Sequence, residues 1–257
     1  MESISILEAP STRPPKYFFD DICDTDPQAR NQHFVTSLVW YKERGSPEHE
    51  FVVAHLNNSR VLRVERAPDQ AANSNQVLFT SSSSSSKHVA ADDTVRVIDN
   101  STLASYVNSG FADQLAQYKF HDFRILEFAR LVGIVSKHSP DYKLNGTMCY
   151  WFSSTIMAAS KSLFHGRGHP PSPRAGKIGS LRAHTDDPSE IAEIMTKYNE
   201  AKKADPDPIG PREARHRREE EATQEHLRYL SEQLKQAQER VRRLSEENEA
   251  LKRQHGG

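Results

Sequence analysis

The sequence predicts an α+β protein in which an antiparallel β-meander is followed by helices, with a C-terminal coiled coil appended. Three observations carry this reading. Stretches rich in β-branched and aromatic residues alternate with turn signals over residues 33–98, apolar residues then recur at helical spacing from Leu103, and a three-four repeat runs from Leu227 to Leu251. Only 36% of the 257 residues are apolar, so part of the chain is expected to lie outside any core. The net charge of −1 lacks the basic excess of a general nucleic-acid or anionic-membrane binder.

Residues 1–29 mix Pro, Ser and Asp with little periodicity and predict a disordered arm. The α+β domain is expected over residues 30–165. Its first strands are His33–Tyr41 and Glu50–Leu56, joined by a turn at Gly45-Ser46-Pro47, and Asn57-Asn58-Ser59 turns the chain into a third strand, Arg60–Arg66. A serine run predicts a flexible insertion near 81–87, after which Thr94–Ile98 alternates as one more strand. Leu103, Tyr106 and Val107 suggest a short helix ended by Gly110, and Ile125, Phe128, Ala129, Val132 and Val135 a longer one stopped by Pro140. Glycines and prolines between Gly166 and Gly176 indicate a linker over 166–186. Asp187-Pro188 reads as an N-cap with proline at N1, opening an amphipathic helix over 187–203 with Ile191, Ile194, Met195 and Tyr198 on one face. A proline-rich linker over 204–211 separates it from the tail.

The coiled coil is expected over 212–254. Leu227, Leu234, Val241 and Asn248 take the a positions, and Leu230, Ala237, Leu244 and Leu251 the d positions. An Asn at one a position is satisfied by its symmetry mate in a parallel pair, which predicts a homodimer through Leu227–Leu251. Arg212, Arg215, Arg217 and Arg218 precede this seam, but Glu219-Glu220-Glu221 follows at once and no base-reading helix is present, so no nucleic-acid partner is expected. No phosphate-cradling loop, metal-ligand spacing or cofactor fingerprint occurs, and the expected cofactor is none. No run approaches the roughly 18 apolar residues of a membrane span, and Met1–Pro15 has no apolar signal-peptide region; a cytoplasmic or otherwise intracellular protein is expected.

Chemistry concentrates on the second of two cysteines. Cys149 stands in Met148-Cys149-Tyr150-Trp151-Phe152 at the start of a predicted helix, where the macrodipole favours the thiolate, the nucleophilic form of the side chain. Alternation along the second strand puts His49 and His55 on one face, and Glu65 shares a face with Arg63 and Val61 on the next. One antiparallel register brings Glu65 beside a histidine, so Cys149 as nucleophile, His49 as base and Glu65 or His55 as orienter form the candidate constellation. Cys23, in Asp20-Asp21-Ile22-Cys23-Asp24, sits among acids that disfavour its thiolate. Thiol-dependent acyl hydrolysis or acyl transfer, on an unknown substrate, is the expected activity. The alternative is a non-catalytic interaction protein in which Cys149 is a small buried hydrophobe and the tail pairs chains.

A histidine-bearing meander, a helical segment and then Tyr142-Lys143-Leu144-Asn145-Gly146-Thr147-Met148-Cys149-Tyr150-Trp151-Phe152 together resemble uncharacterised fungal proteins with a Cys-Tyr-Trp-Phe helix. More distantly, the region from His33 to Phe164 is similar to the circularly permuted papain-like hydrolases and acyltransferases of the lecithin:retinol acyltransferase type. That resemblance implies a permuted papain-like fold, with a strand histidine preceding a nucleophilic cysteine at a helix start. Phe152 matches the aromatic that follows the cysteine by three residues in that group, whereas Met148 stands where the group commonly has Asn.

Overall fold

The structure, a computed structural model, describes residues 4–45, 48–68, 89–142, 149–178, 181–182 and 187–205, with the isolated positions 231 and 235. The serine-rich insertion near 81–87, the proline-rich linker from 206 onward and the coiled-coil seam of the tail lie outside the described residues, the two isolated positions apart.

Seven antiparallel strands form the central sheet: β1 (Ser11–Arg13), β2 (Val35–Glu43), β3 (Glu50–Leu56), β4 (Arg60–Pro68), β5 (Val89–Asp99), β6 (Ala112–Lys119) and β8 (Arg167–His169), in the spatial order β1-β5-β4-β3-β2-β6-β8. The two-residue β7 (Asp141–Tyr142) adds a short pairing to β5. Alternation along β3 divides two cores. Val52, Ala54 and Leu56 face the larger one, while Phe51 and Val53 face a smaller one closed by Leu103, Tyr106 and Val107 of α3 (Asn100–Asn108).

From Ile4 onward, the arm expected over 1–29 is instead folded. A short 3-10 turn at Ser5–Leu7 precedes β1, which pairs with β5, and α1 (Pro15–Cys23) and α2 (Pro27–Asn31) follow. Ile4, Leu7, Phe18 and Ile22 are buried in the larger core, the last two one helical turn apart. Pro15 and Pro27 open helices at N1, and the Asp26 carboxylate accepts from the Gln28 and Ala29 N–H groups. Phe18→Ala is therefore expected to destabilise the fold by about 3–5 kcal/mol in urea titrations, where a free arm would show no change.

Two helices bury their apolar faces on the larger core: α4 (Ile125–His138) and α5 (Cys149–Leu163). The second is buried around nearly its whole circumference, because β2, β3 and β4 flank it on one side and two helices on the other. The chain beyond Phe164 also belongs to this body, although 166–186 reads as a linker in sequence. β8 pairs with β6, and β9 (Lys177–Ile178) pairs with β10 (Leu181–Arg182). α6 (Pro188–Ala204) is capped by Asp187, whose carboxylate accepts from the Ser189 N–H, and it buries Ile194 and Tyr198. Glu190 on its first turn accepts from Trp151 Nε1 at 2.9 Å and approaches His138 Nε2 at 3.5 Å, which fixes the helix on α4 and α5.

The turn after α5 carries backbone strain. His165 sits at φ +54°, and the Gly166 N–H reaches back to Lys161 O at 3.0 Å, closing a Schellman-type cap with a histidine where glycine is usual. A left-handed non-glycine residue costs roughly 1–2 kcal/mol. Gly166 itself is required, because a Cβ there would lie 2.7 Å from the Phe120 ring.

Candidate functional site

β3 and β4 pair with Phe51 opposite Glu65, which makes Glu65 the diagonal neighbour of His49 just before the strand. His49 Nε2 lies 3.1 Å from Glu65 Oε2, and the same ring interacts electrostatically with the Cys149 side chain at the first residue of α5. Three of the four residues singled out in sequence thus meet at one end of the sheet. His55 does not join them: it lies six residues farther along an extended strand, roughly 20 Å away at 3.3 Å per residue, paired with Val61 and Ser37. Of the two candidate orienters, only Glu65 lies beside His49.

Two connections hold the helix start against the strand. Tyr150 Oη donates to the backbone carbonyl of Glu48 at 2.8 Å, tying the residue after the cysteine to the residue before the histidine. The Lys42 ammonium, with a side chain 1% exposed, lies 2.7 Å from Glu48 Oε2 and 3.6 Å from Glu50 Oε1 and faces the Tyr150 ring. It also donates to the carbonyls of Arg174 and Lys177, while the Gly176 N–H donates to Glu50 at 3.1 Å, so the 172–178 segment closes over the same cluster. Burial pushes the Glu50 carboxyl up to about 7 against the opposing effect of Lys42.

Glu65 is held by more than the histidine. Arg63 donates to it through Nε at 3.0 Å and Nη2 at 2.7 Å, and Arg96 lies 3.3 Å away. Burial alone would raise its pKa, but the hydrogen bonds from His49 and Arg63 and the guanidinium charge hold it near 2. For His49, burial favours the neutral ring, yet the hydrogen bonds to Cys149 and Glu65 raise it to about 9. At neutral pH the pair is therefore imidazolium and carboxylate. The stabilisation from His49 is complete below its ordinary value near 6.5 and is lost as pH rises through about 9; that from Glu65 is present above about 4.5 and is lost as pH falls toward 2.

Sequence reasoning named Cys149, His49 and Glu65 but not Lys42, Glu48, Glu50 and Tyr150, which lie beside them. The unusual pattern of a lysine and a glutamate inside otherwise apolar strands is the signal that marks two of them. Cys23 is also poor in thiolate, though for a different main reason than its acidic neighbours: burial pushes it up to about 11, with Asp205 and Asp20 adding and Arg30 and Arg130 opposing. Among the described residues no group of three His, Cys, Asp or Glu side chains is placed to hold a metal ion, and no helix is long and apolar enough to cross a membrane. No family model matches the chain, and neither does any curated protein or solved structure.

Proposed function

We propose that the protein is a thiol-dependent acyl hydrolase or acyltransferase with Cys149 as nucleophile, His49 as proton carrier and Glu65 as orienter. The observation that carries this reading is the His49 ring, held 3.1 Å from the Glu65 carboxylate while it interacts with the Cys149 side chain. With Nε2 turned to Glu65, Nδ1 is the nitrogen left to exchange a proton with sulfur. The sulfur would attack a substrate carbonyl as thiolate, and imidazolium would protonate the leaving group as the tetrahedral adduct collapses to a thioester. Water or a second acyl acceptor would then release the acyl group. The first N–H groups of α5, which no intrahelical carbonyl can satisfy, lie at the sulfur's end of the helix and suit the developing oxyanion. A histidine strand that precedes a cysteine helix also matches the order of the permuted papain-like group, and this supports that finer fold assignment.

A p-nitrophenyl acyl ester tests the reading. An acyl adduct on Cys149 is expected by mass spectrometry and should vanish in Cys149→Ala. Turnover of an alkyl ester, whose alkoxide does not leave unprotonated, should fall as pH rises through about 9, where His49 loses the proton it must deliver. Turnover that persists in Cys149→Ala would reject the assignment. The second reading, a non-catalytic interaction protein, is favoured by the 3% exposure of Cys149, and an intact thiol after prolonged exposure to ester would support it.

A further inference from the structure

A cleft of about 700 Å³ opens at the opposite end of α5 from Cys149, about 20 Å away along the 15-residue helix. Its size is that of a small-molecule site. Phe120, Leu163, Phe164 and Tyr198 supply its apolar lining, and the rings form a continuous array: Phe164 stacks on Phe123 at 3.8 Å and meets Tyr198 edge-on at 5.6 Å, while Phe120 meets Phe123 edge-on at 5.0 Å.

Two features of the rim are unfavourable for the protein alone. Lys119 on β6 and Arg167 on β8 are direct cross-strand partners, so two like charges stand opposite each other at the cleft. His165, the strained left-handed residue, also lines it, where glycine would serve the turn better. The acids present offset this charge only in part: Glu127 is paired with Lys202, which leaves the single carboxylate of Asp122 against Lys119 and Arg167. A strained side chain and an adjacent like-charge pair converging on one aromatic-lined cleft are both relieved or used if an anion sits between them.

We infer that this cleft binds an organic anion with a flat apolar body, its anionic head held by Lys119, Arg167 and His165 and its body lying on Phe120, Leu163 and Phe164. The site does not depend on Cys149, so its failure would leave the acyl-transfer reading untouched.

The probe is 8-anilino-1-naphthalenesulfonate, titrated by fluorescence into the full chain beside the neutral N-phenyl-1-naphthylamine. One saturable site is expected for the sulfonate. The double variant Lys119→Gln/Arg167→Gln should weaken the sulfonate about tenfold or more and leave the amine unchanged, while melting no lower than the parent because a repulsive pair is gone. His165→Gly should raise the melting temperature and weaken the sulfonate, a combination that a purely structural residue would not give. Equal affinity for the neutral amine, or sulfonate binding unaltered in either variant, would overturn the assignment.

Discussion

Asp93→Ala should destabilise the protein by about 3–5 kcal/mol, the usual cost of leaving one partner of a buried ion pair alone. Arg66 Nε and Nη2 donate to the two Asp93 oxygens at 2.7 Å each, with side chains 0% and 5% exposed. The guanidinium also lies 4.9 Å from the Trp151 ring centre and 4.8 Å from that of Phe152, directly behind the start of the Cys149 helix. Without Asp93 an uncompensated charge remains among aromatic rings. Urea unfolding measures the loss. The joint replacement Arg66→Met with Asp93→Leu should recover most of it, because an apolar pair of similar volume needs no desolvation of charge. A single Asp93→Ala cost below about 1 kcal/mol would show that water reaches the pair.

His49→Ala should slow iodoacetamide alkylation of Cys149 at pH 6 roughly a hundredfold, the scale on which a neighbouring histidinium changes thiol reactivity. In the parent, Cys149 should react ahead of Cys23, whose thiol burial pushes up to about 11. Peptide mapping after timed quenching separates the two cysteines. Glu65→Gln should give an intermediate rate, since the ring keeps a neutral partner but loses the carboxylate that sustains its charge. A Cys149 rate indifferent to His49→Ala, in a variant whose circular dichroism matches the parent, would remove the catalytic pair.

The parts of this fold that sequence reveals are those where one physical pattern dominates. β3 follows strict alternation between two cores, and its bounds and faces are readable; so is the pairing of Glu65 with His49 once a register is assumed. β6 escapes detection because its pairing with β2 shifts register between Trp40 and Tyr41, leaving Leu115 and Ala116 buried in succession and breaking the period of two. The N-terminal helices are obscured by prolines that suggest disorder but serve as N1 residues. His55 shares a face with His49, as alternation requires, yet a shared face says nothing about the length of strand between them. The Lys42, Glu48 and Glu50 cluster depends on a segment more than a hundred residues away, which no local pattern encodes.

The same separation in chain gives the site an order of assembly. The contact between His49 and Glu65 spans 16 residues within one hairpin, whereas the bond from Tyr150 to Glu48 spans 102. Short loops close far sooner than long ones, so the hairpin can set its imidazole and carboxylate while the cysteine helix is still undocked. During synthesis, and in any partly unfolded molecule, the thiol then lacks its partner and behaves as an ordinary side chain. The reactivity of Cys149 toward an alkylating agent would therefore report whether its helix has docked on that hairpin.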